Sequence, residues 1–285
     1  MCNQMRRGMV SGVLLLAVAA GSASAAILSD NFSYADQTAA SAAGWTKNDG
    51  TALDGSTFLT TSYDVNQDGQ ADPYWYGSSP TLPAPVAGQN SLVLWNATAA
   101  KNLGQTLTTP WTMDVQVLSN NFSRAQEMAL VDSNGNGYGV LWNTAAASNL
   151  YGYLSLVKVV GWTTNSFSNQ ASDVSLGTTL GNHDVTGFDV TDSTQGAVTL
   201  GSTFRGFADV ALSWQPDGAL TLTEDGQKLL GATDTSYTSF SRVVLGGNTF
   251  AYYHDVTVAV PEPASLSLLG LLGIFGLSRR RVLRA

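Results

Sequence analysis

Cysteine is almost absent from this chain: Cys2 is the only one among 285 residues. No intrachain disulfide can form, and a lone thiol cannot build a zinc or iron–sulfur site. Histidine is scarce too. His183 and His254 are the only imidazoles and lack metal-ligand spacing, so both are read as surface or strand-end residues. Positive charge is thin, with 13 Lys and Arg against 21 Asp and Glu. No Gly-x-Ser-x-Gly stretch occurs, so an elbow-type nucleophile has no support. Long apolar runs are missing as well. The two oily stretches, Val10–Ala20 and Leu266–Leu277, both fall short of the ~20 residues that a permanent membrane helix wants.

What is present is concentrated first at the two ends. Arg6 and Arg7 precede Val10–Ala20, and Ala23-Ser24-Ala25 supplies small residues for a cleavage site. That is the layout of a secretory signal peptide over residues 1–25. At the other end the chain reads VPEPASLSLLGLLGIFGLSRRRVLRA, from Val260 to Ala285. Leu266–Leu277 would span only ~18 Å as a helix, against a bilayer core of ~30 Å. Arg279, Arg280, Arg281 and Arg284 would stay on the cytoplasmic side, leaving everything before Pro261 outside. A short apolar helix with a cationic stop and a Pro-containing motif in front reads as a processing signal.

The order Val260-Pro261-Glu262-Pro263, apolar helix, Arg279-Arg280-Arg281 resembles the PEP-CTERM sorting signal of bacteria that make exopolysaccharide. The resemblance implies recognition by an exosortase and transient residence in the inner membrane through the C-terminal helix. It further implies cleavage near the motif and release to the outer surface or extracellular matrix of a Gram-negative cell. A plain single-pass anchor stays open as the alternative.

Between the ends lies a body of residues 26–259, long enough for one large domain with a sizeable core. Without the terminal segments it keeps 7 cationic and 20 anionic side chains, a net charge near −13. Nucleic acid and anionic membrane surfaces need a basic face, so neither is expected as a partner. The body shows no clear helix and many period-two runs. Trp111, Met113, Val115 and Val117 share one face of a strand, with Thr112, Asp114 and Gln116 on the other. Val210, Leu212 and Trp214 alternate up to a Gln215-Pro216-Asp217-Gly218 turn, and Leu220 and Leu222 alternate away from it, a hairpin. Further strands are expected at Ser91–Trp95, Glu127–Val131, Tyr138–Trp142, Tyr151–Trp162, Arg242–Leu245 and Tyr252–Val260. Trp142, Trp162 and Trp214 are assigned to the core, Trp45 and Trp95 are undecided, and Ser78–Gly88 is read as a long surface loop. This spacing predicts an all-β antiparallel β-sandwich.

Four stretches taken in order are similar to concanavalin A-like (laminin-G-like) jelly rolls: Asp30–Thr46, Gly135–Trp142, Leu212–Gly226 and Tyr252–Val258. That resemblance implies the fold, and relates the body to lectins, glucanase-type hydrolases and adhesion modules.

Glycoside hydrolysis needs two carboxylates about 5–9.5 Å apart. The body offers Glu127 and Glu224 as its only glutamates. No acid stands two positions after Glu127, where the same strand face would present it, and Glu224 is placed beside an Asp225-Gly226 turn. No catalytic residue is therefore assigned. Aromatic faces stack on sugar rings, and Tyr74, Trp75 and Tyr76 are three consecutive aromatics beside a polar loop, more than one strand face can bury. They are the candidate ligand-binding residues. In the preceding loop Asp64, Asn66, Asp68, Gln70 and Asp72 hold the alternating oxygen positions of a calcium loop, with Gly69 for the sharp turn. A self-capped Asx turn is the competing reading. Asp132–Gly137 is read as a hairpin turn, and Asp30 with Asp255 as two ligands that share a second ion. The expectation is an exported, non-catalytic protein that binds extracellular polysaccharide, with structural Ca²⁺. A purely structural matrix or adhesion protein, or a polysaccharide-active hydrolase or lyase, remain as alternatives.

Overall fold

Alternation becomes architecture wherever it was legible. A computed structural model describes residues 24–54, 57–60, 91–94, 96–118, 125–143, 153–165, 167, 174–180, 207–224, 226–247 and 251–261. The elements are β1 (Ser24–Asp30), α1 (Gln37–Ala42), β2 (Trp45–Thr46), β3 (Thr57–Thr60), β4 (Ser91–Leu94), β5 (Ala97–Leu107), β6 (Trp111–Leu118) and β7 (Ala125–Val131). They continue with β8 (Gly137–Asn143), β9 (Tyr153–Val159), β10 (Val174–Leu180), β11 (Phe207–Trp214), β12 (Ala219–Glu224), β13 (Gln227–Thr233), β14 (Phe240–Gly247) and β15 (Ala251–Pro261). Eight of these strands form one sheet in the order β13-β12-β11-β6-β15-β4-β3, with β1 also on β15. Seven form the other, in the order β10-β9-β8-β7-β14-β5-β2. Every pairing whose register is known is antiparallel, so the body is the antiparallel sandwich expected.

Side-chain parity fixes the core. Met113, Val115 and Val117 of β6 and Val210, Leu212 and Trp214 of β11 point inward from the eight-stranded sheet. Met128 and Leu130 of β7, Val243 and Leu245 of β14, and Val140 and Trp142 of β8 answer from the other. Each fully buried aliphatic side chain contributes about 1.5–3 kcal/mol. Trp111 and Trp214, directly paired across β6 and β11, stack at 6.3 Å, and Phe240 packs edge-on against both at 5.1 Å. The β11–β12 hairpin turns where predicted: Gly218 donates to the Gln215 carbonyl at 2.8 Å with φ +83°. Asp132–Gly137 also turns as expected, Asp132 Oδ1 accepting from the amides of Asn134 and Asn136 at 2.8 and 2.9 Å.

The seven-stranded sheet is buried on both faces. Ala125, Ala129 and Val131 of β7, Val157 and Val159 of β9, and Val244 of β14 form a second cluster on its far side, under Trp162 and Phe167. Trp162 is buried as expected but lies past the end of β9, folded back over the sheet and not part of a strand. The one helix among the described residues, α1, was not expected. Asp36 caps it, its carboxylate accepting from the Ala39 amide at 2.8 Å. Trp45 is fully buried. The signal peptide (all but its last two residues), Trp95, His183, the Ser78–Gly88 loop, and the C-terminal helix with its arginines lie outside the described residues.

Candidate functional site

The last strand joins the core to the sorting signal. Along β15, Tyr253 faces Val117 and Val256 faces Val115, so three steps on β15 match two on β6. This bulge absorbs one residue at His254-Asp255 and lets Tyr253 and Val256 both point inward. His254 is thereby buried within the strand, 8% exposed, and is not the surface or strand-end residue expected. Past the bulge Val256 and Val258 are fully buried, Val258 faces Met113, Ala259 faces Thr112, and Val260 packs against the core. Pro261, exposed and without an N–H to donate, ends the strand. Thus Val260 and Pro261, predicted as sorting-motif residues, complete a strand of the sandwich. Glu262, Pro263 and Arg279–Arg281 lie outside the described residues, as do Tyr74, Trp75, Tyr76, Asp64, Asn66, Asp68, Gln70 and Asp72.

Tyr253 fastens β15 to the opposite sheet, its hydroxyl lying 3.0 Å from the Glu127 carbonyl and 2.5 Å from that of Gly246. Burial and the Glu127 charge push this hydroxyl far above its ordinary range. A second tie is Asp30. Its carboxylate accepts from Tyr34 Oη at 2.5 Å, Trp45 Nε1 at 2.8 Å, Lys101 Nζ at 2.7 Å and the Phe32 amide at 3.0 Å. Burial alone would raise the Asp30 carboxyl, but Lys101, Tyr34, Trp45 and the Phe32 amide outweigh it and hold it below the usual range. The Asp30 carboxylate is thus committed to protein donors, with the Lys101 ammonium as its cation. Asp255 lies near enough to feel Asp30 and Asp209. Its burial raises its carboxyl, the neighbouring His254 opposes that, and Asp209 and Asp30 add to it. Among the described residues no group of three His, Cys, Asp or Glu is placed to hold a metal ion.

The two glutamates sit on different sheets. Glu127 shares the parity of Ala125 and Ala129 on β7 and is 1% exposed, with Leu141 and Gly246 opposite it on the neighbouring strands. Glu224 belongs to the end of β12 and is 4% exposed; it is a buried strand residue and not part of the turn.

Sequence reasoning missed a polar seam over the seven-stranded sheet. Asn48, 2% exposed, donates from Nδ2 to the Trp162 carbonyl at 2.9 Å, and Arg242 donates from Nη1 to the Asn48 carbonyl at 3.1 Å. Burial lowers the Arg242 guanidinium, with Asp132 opposing that shift. The single charge standing directly before the apolar run Val243–Leu245 is the available signal for Arg242. Nothing in the sequence marks Asn48.

A family model described as the PEP-CTERM protein-sorting motif matches residues 259–282. No curated protein matches the chain in sequence. Solved structures similar to it include β-agarase A in complex with oligoagarose, 12% identical with a TM-score of 0.48, covering 84% of this chain and 94% of that one. The CBM2 module of an evolved Dit of Lactobacillus casei BL23 phage J-1 is 11% identical with a TM-score of 0.44, covering 84% and 97%. The carbohydrate-binding module CBM66 from Bacillus subtilis is 8% identical with a TM-score of 0.39, covering 75% and 94%. The chain therefore carries a PEP-CTERM protein-sorting motif, which begins on the last strand of an antiparallel β-sandwich.

Proposed function

We propose that this is an exported protein, processed at its C-terminus by an exosortase, whose sandwich binds polysaccharide on the outer surface or in the extracellular matrix without altering it. The observation that carries the reading is the sorting motif at residues 259–282, continuous with the final strand. Binding is supported by Tyr74-Trp75-Tyr76 beside their polar loop, and a body near −13 favours a neutral polymer over a polyanion. The non-catalytic part of the reading is supported by Glu127 and Glu224 standing on separate sheets with no acid directly opposite Glu127.

A glycan array on the released protein tests this reading. Binding to a neutral polymer, lost on Trp75→Ala, is the expected result. A flat array favours a purely structural matrix protein, and new reducing ends or unsaturated products from the host's own polymer favour an enzyme. Calcium belongs to the same proposal, held by Asp64, Asn66, Asp68, Gln70 and Asp72. Calorimetry should show a heat of Ca²⁺ binding that disappears when Asp64→Ala and Asp68→Ala are combined. No such heat removes the site.

A further inference from the structure

The sorting motif and the sandwich share residues. The motif starts at 259, whereas β15 runs to Pro261. β15 is no loose edge: β6 lies along one side, β4 pairs with its start, and β1 pairs with it as well. From Ala251 to Ala259, the His254-Asp255 bulge apart, it is in register with neighbours, and Val256 and Val258 fill the core.

We infer that the bond cut during export lies on the C-terminal side of Pro261, so that the mature body keeps all of β15, including the first residues of the sorting motif. The inference rests on the exosortase reading above. An enzyme that cuts a peptide bond takes its substrate as an extended segment whose backbone groups are free to pair with it. From Val256 to Ala259 the strand lies in register inside the eight-stranded sheet, and Val260 is held against the core. Presenting them would draw a central strand out of the sandwich and expose Val256, Val258 and the residues they cover. Pro261 is the first position where that constraint ends, because it is exposed and donates nothing to the ladder. In the step itself, water or an acceptor amine attacks one peptide carbonyl and the C–N bond breaks. The body keeps the acyl carbon, and the departing segment leaves as a free amine.

The test uses the full chain in a host carrying the exosortase, with the released protein's C-terminal peptide sequenced by mass spectrometry. The expected last residue is Pro261 or a later one; a last residue of Val260 or earlier overturns the inference. A Gly-Ser-Gly insertion between Val260 and Pro261 serves as a ruler and leaves Pro261-Glu262-Pro263 intact. The released protein should carry the insertion, and its absence overturns the inference even where the sandwich tolerates trimming. A chain still ending in Ala285, or release that continues without the exosortase, overturns the processing reading itself. Those results differ from a cut at or before Val260.

Discussion

Lys101 of β5 pairs with Asp30 of β1 at 2.7 Å, joining a strand of one sheet to a strand of the other. Lys101 also lies 5.5 Å from the centroid of the Trp45 ring, whose Nε1 donates to the same carboxylate. The Asp30 side chain is 5% exposed and that of Lys101 17%, so the pair is largely desolvated. Removing one partner leaves a buried charge uncompensated, which costs about 3–5 kcal/mol, whereas replacing both with apolar groups is often neutral. Asp30→Ala should therefore lower the urea midpoint of the body sharply, and Asp30→Leu with Lys101→Met should recover the part due to the unpaired ammonium, while Tyr34, Trp45 and the Phe32 amide still lack their acceptor. Equal losses for the single and double variants would show that the pair contributes little beyond packing.

Acid should weaken the body through Asp234. Its carboxylate faces Tyr138 Oη at 2.7 Å and Lys158 Nζ at 3.2 Å and accepts from the Ser236 amide at 2.8 Å. Burial raises this carboxyl, but hydrogen bonds from Ser236, Tyr138 and Lys158 prevail and hold it at about 2. A carboxyl depressed in the folded state contributes stability that is present above its unfolded value, about 3.9, and lost as pH falls toward the folded one. The melting temperature should thus drop between about pH 4 and pH 2, and Asp234→Asn should flatten that drop. Asp30 is depressed too, so some slope must remain in the variant. An unchanged slope would count against the assignment.

Asp255 has the opposite sign. Burial raises its carboxyl, the adjacent His254 opposes this, and Asp209 and Asp30 add to it. A carboxyl raised in the folded state contributes stability that is present below its unfolded value and lost as pH rises through the folded one. Asp255→Asn should raise the melting temperature at pH 7 and change little at pH 3. Destabilisation at pH 7 would mean that the carboxylate makes a favourable contact outweighing the repulsion.

Period-two runs were readable because one face of each strand must be dry: Trp111, Met113, Val115 and Val117 are all buried, as their spacing demanded. The bulge on β15 was not readable, since Tyr253 and Val256 break parity and only the register with β6 reveals the extra residue. The sequence around Trp162 suggested a longer strand because aromatic and β-branched residues run on to it. Its covering role depends on Gly246, far away in the chain. The Asp30 cluster draws on positions 34, 45 and 101, and such long-range pairing leaves no local pattern. Six residues of α1 are too few to set up a helical period.

Gly246 is the clearest place to test how the Trp162 segment is seated. It lies on β14 between Thr98 of β5 and Glu127 of β7. A Cβ there would come within 2.5 Å of Phe167 Cδ2 and 2.6 Å of Trp162 Cζ2. Both rings are buried, and the Trp162 backbone is held in place: its amide donates to the Gly135 carbonyl at 2.9 Å and its carbonyl accepts from Asn48 Nδ2. Overpacking of this kind costs about 1–3 kcal/mol. Gly246→Ala should therefore destabilise the body by that amount and make the 160–167 segment more open to proteolysis. Trp162→Ala removes a buried ring and should cost about 3–5 kcal/mol. Combined, the two changes should cost clearly less than their sum, because the added methyl then meets Phe167 alone, and contacting residues couple by about 0.5–3 kcal/mol. Additive costs in urea unfolding would mean that Trp162 does not bear on Gly246, and the buried outer face of the seven-stranded sheet would need another explanation.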